Sequence, residues 1–363
     1  MFLRTRSPLG RLPQALAVAA AALALISTAG AAAPSPARAA APSLSQADAT
    51  DVTVTKDLAY APAQPPGTQG HLLDLYVPRS DRPLPLVIFT SGSGWLADSG
   101  RQGADKVAAQ LNPHGYAVAG VAIRSSGQAQ FPAQLYDIKG AIRWLRANAG
   151  TYHLDPSRFA IMGDSSGGWT TAMAAVTGDI PALEGDVGPR DASSAVQAAV
   201  PFYPPTDFLQ MDAHMPDNCR EFNSAFGLTD CHSDARSPES RLLGCTITAC
   251  PGTVAAANPL TYIGKRHTPP FLILHGKRDS IVPYHQSRIL YDRLAASGDD
   301  ARLLSFPEAG HGTDFAMLSD DATREGAYEQ TAKGGRTTPP RPVAPTWQTV
   351  IAFLEQSTAA KSH

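Results

Sequence analysis

The chain has 363 residues, 43% hydrophobic and 17% charged, with a formal net charge of −2. That length and apolar fraction suffice for one large core or two modest ones. The near-neutral balance excludes the basic footprint of a nucleic-acid or acidic-lipid binder, and the 31 prolines and 30 glycines indicate many loops rather than disorder.

Arg4, Arg6 and Arg11 precede an apolar, alanine-rich stretch over 15–26, and Ala-x-Ala sites follow at Ala29-Gly30-Ala31 and Ala37-Arg38-Ala39. This is the form of a cleavable export signal over residues 1–39. As a membrane anchor the stretch would be interrupted by Ser27, Thr28 and Gly30, and it only marginally reaches the roughly 20 apolar residues of a span. A secreted protein without a stable membrane anchor is expected, its folded domain covering residues 46–360.

Residues 51–58 and 71–77 alternate apolar and polar positions and predict two strands, joined through the Pro- and Gly-rich 61–70. Leu86-Val87-Ile88-Phe89-Thr90 is a continuous apolar run, as a strand buried on both faces requires. Then come a helix over 102–111, a buried strand over 116–123, and an amphipathic helix over 133–149 with Ile138, Ile142 and Leu145 on one face. A strand at 159–162 runs into Gly163-Asp164-Ser165-Ser166-Gly167 and a small-residue helix. Strands at 197–203, 271–275 and 302–306 follow, the last closing the strand series, with helices at 284–296 and 347–355. The alternation predicts an α/β fold, with a mostly parallel central sheet flanked by helices.

Between residues 207 and 258 this periodicity fails, and all four cysteines fall there. The segment follows a strand's carboxyl end, where α/β enzymes grow loops over their sites, so it is expected to be a cap insertion. In an exported chain disulfides are the default. Of the three possible connectivities, sequential pairing is expected, Cys219 with Cys231 and Cys245 with Cys250. The spacings lack the Cys-x-x-Cys pair usual in zinc sites, and no metal is expected.

A Gly-x-Ser-x-Gly between strand and helix is the form of a nucleophile elbow, with Ser165 thrust out at the turn and the Ser166 N–H aimed at an oxyanion. Serine needs a base, and the base needs an acid to fix its tautomer. On such a sheet the partners follow in chain order serine, acid, histidine. Asp279, in the turn after strand 271–275, is the acid candidate. Taken alone it reads as a turn residue or helix cap. Asp314 is the reserve, out of order because it follows the histidine. His311, flanked by Gly310 and Gly312 after strand 302–306, is the base candidate among ten histidines. The loop Ser91-Gly92-Ser93-Gly94-Trp95 is positioned for the second oxyanion donor, from Gly92, Ser93 or Gly94, foremost the Ser93 N–H. Trp95 and Trp169 are the candidate substrate-binding residues. Gly-Asp-Ser also suits chymotrypsin-type proteases, but there the histidine precedes the serine.

With these motifs in this order the chain resembles the α/β-hydrolase superfamily. It is similar to the esterase/lipase branch that holds hormone-sensitive-lipase-like, acetylxylan and feruloyl esterases. Further carriers are Asp74-Leu75-Tyr76-Val77-Pro78, Phe131-Pro132-Ala133-Gln134 with the helix after it, and Asp155-Pro156-Ser157-Arg158. The resemblance runs from about Leu72 to Phe353 except in the insertion. It implies an α/β-hydrolase fold and a serine esterase without cofactor, cleaving small acyl or aryl esters through an acyl-enzyme. The substrate would be a small molecule or an ester on polysaccharide, with acetyl or feruloyl groups on plant polysaccharide in view. The chain departs from the family's His-Gly-Gly-Gly-Trp, having Ser91-Gly92-Ser93-Gly94-Trp95, and it has Ser166 where alanine is usual. The rival expectations are a polyester or lipid hydrolase or a serine peptidase on the same fold, and a binding module without catalysis.

Overall fold

The computed structural model describes residues 51–312 and 315–359. The expected export signal and the reserve acid Asp314 lie outside the described residues. Among these, eleven strands form one sheet in the order β1-β2-β4-β3-β5-β6-β7-β8-β9-β10, with β11 also on β9. The strands are β1 (Val52–Ala59), β2 (Leu72–Pro78), β3 (Leu84–Thr90), β4 (Ala117–Val121), β5 (Leu154–Asp164) and β6 (Ala198–Phe202). They continue as β7 (Phe271–Gly276), β8 (Ala301–Phe306), β9 (Tyr328–Lys333), β10 (Arg336–Thr337) and β11 (Arg341–Pro342). The alternating β1 and β2 pair antiparallel at one edge. The apolar runs β3 to β8 form the parallel centre. From β3 the chain steps out to β4, crosses back to β5 and then continues the other way. That reversal is the switch point at which open α/β sheets bind ligands.

The helices are α1 (Ala104–Leu111), α2 (Ala133–Ala147), α3 (Ser166–Thr177), α4 (Arg220–Phe226), α5 (Pro238–Leu243), α6 (Pro251–Ala256), α7 (His285–Ala296), α8 (Ala316–Ser319) and α9 (Trp347–Thr358). All twelve residues of α3 are buried, because it is apolar or small all round and is covered on every side. Its closeness to the sheet depends on glycine. A Cβ on Gly163 would come within 2.5 Å of the Gly167 carbonyl oxygen, and one on Gly167 would overlap the Thr90 carbonyl.

The expectation that 302–306 is the last strand is corrected, since β9 pairs antiparallel with β8 and carries the hairpin to β10. Tyr328-Glu-Gln-Thr-Ala-Lys lacks an apolar run because its burial is partial: Glu329 is buried, its carboxylate held by Arg302 and Arg341. The readable signal was Gly334-Gly335, both at positive φ, joining the strands as a two-residue hairpin turn.

The insertion has two parts. The first has a small cluster of its own, Met215, Cys219, Phe222, Leu228 and Cys231. The second contributes Leu242, Leu243, Ile247 and Val254 to the main core. Cys219 pairs with Cys231 and Cys245 with Cys250, their Cα atoms 5.6 and 6.3 Å apart. One set of potential metal donors, Asp212, Cys231 and His232, lies within 4.8 Å among the described residues. Its sulfur is already taken up in the bond to Cys219. No described helix is long and apolar enough to cross a membrane.

Candidate active site

The carboxyl ends of β3, β5, β7 and β8 bring the expected groups to one rim. Ser165 stands between β5 and α3 with φ 54° and ψ −123°, a sparsely populated conformation for a residue bearing a Cβ. It is held there by its N–H on Phe202 O at 3.0 Å and by its carbonyl, which accepts from Trp169 N–H at 3.0 Å. The Oγ lies 3.1 Å from His311 Nε2, and His311 Nδ1 lies 2.9 Å from Asp279 Oδ2. The Tyr203 ring leans against the imidazole with centroids 4.6 Å apart. Ser165, Asp279 and His311 are thus brought into one hydrogen-bonded line from positions 146 and 32 residues apart.

Asp279 is 1% exposed. Its Oδ1 accepts the N–H groups of Ile281 and Val282 at 2.9 and 2.8 Å. A second histidine faces Oδ2: His275 Nε2 lies 2.9 Å from Val282 O and 3.4 Å from Asp279 Oδ2, while its Nδ1 meets Ser287 Oγ at 2.7 Å. Because Val282 O only accepts, Nε2 carries the proton and leans it toward both oxygens. Burial by itself would raise the Asp279 carboxyl, but the charge of His311 and hydrogen bonds from His275 and His311 outweigh it and hold it well below the usual carboxylate range. The stability this contributes is present in full above the unfolded value of about 4. It is lost only as pH falls through the lower folded value. Sequence position left His275 inside a strand, with no sign that it backs the acid.

The glycine loop after β3 lies against the elbow. A Cβ on Gly92 would come within 2.6 Å of Asp164 O and Ser165 Cβ. Gly94 and Trp95 turn through positive φ, 59° and 56°. The Ser93 N–H, expected to face the substrate, donates to Ser166 Oγ at 2.9 Å. An oxyanion would have to share or displace that hydroxyl, a feature of this chain's Ser166 that an alanine would lack. Trp95 lines the cavity above Ser165, but Trp169 does not. The substrate-binding expectation for Trp169 is corrected: it is 0% exposed, stacked edge-on to Trp95, with Nε1–H donating to Ala257 O at 2.8 Å. Its place on the fully covered α3 turns the ring into the core.

Asp164 is a further group that the motif did not reveal. It is fully buried, and among the described residues neither carboxylate oxygen has a well-formed partner, although the Gly92 N–H acts on it. Burial pushes its carboxyl up to about 7, against opposing effects of the Gly92 N–H and the charge of His311. The folded state therefore holds this proton more tightly than the unfolded one. The pH-dependent cost is absent below about pH 4 and grows until pH 7, as the folded state keeps a proton that the unfolded state gives up. Asp164→Asn is expected to be nearly neutral at pH 4 and stabilising by a few kcal/mol at pH 8, read from urea unfolding at both pH values. Equal effects at the two would contradict this assignment.

The cavity at Ser165 measures about 210 Å³, with Phe222, Phe226 and Glu239 of the insertion opposite the elbow, Ser93 and Trp95. A larger depression of about 630 Å³ near Pro307 and Ala322 has no serine–histidine pair among the described residues that line it.

The BD-FAE profile matches residues 73–294. The chain belongs to the BD-FAE family. Esterase LipQ of Mycobacterium tuberculosis is 30% identical over 269 residues, covering 72% of this chain and 58% of its own length. Esterase LipC of the same organism is 29% identical over 64% of this chain and 54% of its own. This BD-FAE chain thus spans about half the length of the curated relatives it matches. Among solved structures it is similar to a truncated carbohydrate esterase from gut microbiota, with a TM-score of 0.68 and 28% identity, covering 86% of this chain and 99% of that one. A bifunctional GH43-CE protein of Bacteroides eggerthii aligns with a TM-score of 0.62 and 35% identity, over 71% of this chain and 35% of that one. Family, α/β-hydrolase fold and cap agree with the expectations from the sequence.

Proposed function

We propose that the protein is an exported serine esterase that removes small acyl groups, acetyl foremost, from carbohydrate. The observation that carries this reading is the continuous line from Ser165 Oγ through His311 to Asp279. His311 Nε2 takes the Ser165 proton as Oγ attacks the ester carbonyl. Asp279 keeps Nδ1 protonated and offsets the imidazolium charge. The oxyanion is stabilised by the Ser166 N–H at the start of α3 and by the Ser93 N–H. The imidazolium then protonates the departing alcohol, and water, deprotonated by His311, releases the acid and restores the serine.

The curated relatives named as esterases and the carbohydrate esterase among the structures support the reaction class and the carbohydrate context. The cavity's 210 Å³ is below the roughly 300 Å³ at which drug-sized ligands fit, which favours small acyl groups. The exposed large hydrophobics among the described residues, Val54 and Leu209, do not line it, which speaks against a polyester or lipid hydrolase. The N-terminal pattern and the paired cysteines support export.

A panel of acetyl, butyryl and feruloyl esters of one alcohol tests the reading. The kcat/KM is expected to be highest for acetyl and at least about tenfold lower for feruloyl. A feruloyl ester cleaved fastest would overturn the small-acyl assignment.

A further inference from the structure

We propose that Glu239 is a specificity-determining carboxylate, accepting a hydrogen bond from a free hydroxyl beside the scissile ester in a partly acylated sugar. The inference rests on the esterase reading above and names its substrate class.

Among the described residues, Glu239 is the one carboxylate lining the cavity at Ser165, and it is 3% exposed. Its neighbours on the insertion side, Phe222, Phe226 and Pro238, are apolar, as are Ile281 and Val282. A carboxylate in such surroundings is unfavourable unless donors satisfy it. The protein's own donor does this poorly. His232 Nδ1 lies 3.0 Å from Glu239 Oε2, but neither ring nitrogen nor Oε2 has a partner in hydrogen-bond geometry among the described residues. The Phe222 ring lies against the imidazole, 3.8 Å away between centroids. Oε2 is enclosed, so the acceptor capacity left at the wall of the pocket is that of Oε1, which has no hydrogen bond among the described residues.

Its position is fixed as well. Glu239 sits in α5, which Ser237 caps by accepting the Ser240 N–H at 3.0 Å. Leu242 of the same helix is in the main core, and its carbonyl accepts Phe131 N–H at 2.8 Å. Pro238 packs against the oxyanion loop, within 3.3 Å of a Cβ built on Gly94. An acceptor held this firmly next to the reacting ester discriminates by the hydrogen bond it makes or lacks.

The test compares methyl 2-O-acetyl- and 3-O-acetyl-β-D-xylopyranoside with their counterparts lacking the adjacent hydroxyl, together with 4-nitrophenyl acetate and acetylcholine. Wild-type protein is expected to prefer at least one hydroxylated xyloside over its deoxy form. Glu239→Leu is expected to shrink that kcat/KM ratio by about 10- to 100-fold, the range of a hydrogen bond to a charged group. Glu239→Gln keeps the shape, serves should the leucine variant not fold, and is expected to shrink the ratio in the same direction. Equal losses on hydroxylated and deoxy substrates would overturn the proposal, as would a larger loss on acetylcholine than on the xylosides. No turnover of 4-nitrophenyl acetate by the wild type would overturn the esterase reading and this proposal with it, whereas turnover without a ratio shift overturns only this proposal.

Discussion

Ser165→Ala is expected to lower kcat on 4-nitrophenyl acetate by about 10⁵- to 10⁶-fold, as loss of a serine that works as a unit with its base does. The Oγ is the oxygen in line with His311 Nε2. The hydroxyl of the next residue, Ser166, accepts the Ser93 N–H instead. The alanine leaves the Phe202 and Trp169 backbone bonds that hold the elbow, and it relieves nothing the fold needs, so melting is expected to stay within a few degrees of wild type. The residual rate reports what the oxyanion donors and binding supply alone. Activity within tenfold of wild type, on protein shown to be folded, would remove Ser165 from the reaction.

The second large effect is at the acid. Asp279→Asn is expected to lower kcat by about 10⁴-fold through the tautomer of His311. Oδ1 of Asp279 accepts two backbone N–H groups, from Ile281 and Val282. An asparagine has to put its carbonyl oxygen there, because its NH₂ would meet two donors. The NH₂ is then left facing His311 Nδ1 and the proton on His275 Nε2. It donates to His311 Nδ1, which moves the imidazole proton to Nε2, where it can no longer accept from Ser165. The crowding with His275 adds a loss of stability, visible in urea unfolding. Steady-state kinetics at pH 8 check the rate, and a loss below tenfold would show that Asp279 does not set the tautomer.

The central sheet was legible because β3, β4, β6 and β7 are buried along their whole length, and β5 over its last six residues, so that they read as apolar runs. The triad was legible because the chain order of its members is tied to strand ends. β9 was not, since its buried Glu329 is paired with arginines that are distant in sequence. The insertion resisted for a similar reason. Its short helices are held by disulfides and by contacts to the main core rather than by a repeating apolar face. Trp169 shows the limit of proximity in sequence, as four residues of helix carry it from the elbow into the core. Asp164 draws its character from burial without a well-formed partner, His275 and Glu239 from burial beside a particular partner, and no local pattern encodes either.

The most direct test of the account is a fluorophosphonate label on the intact protein, with the modified peptide identified by mass spectrometry. One adduct is predicted, on Ser165, absent from Ser165→Ala and strongly slowed in Asp279→Asn. An adduct on another serine, or folded wild-type protein that takes up no label, would contradict it.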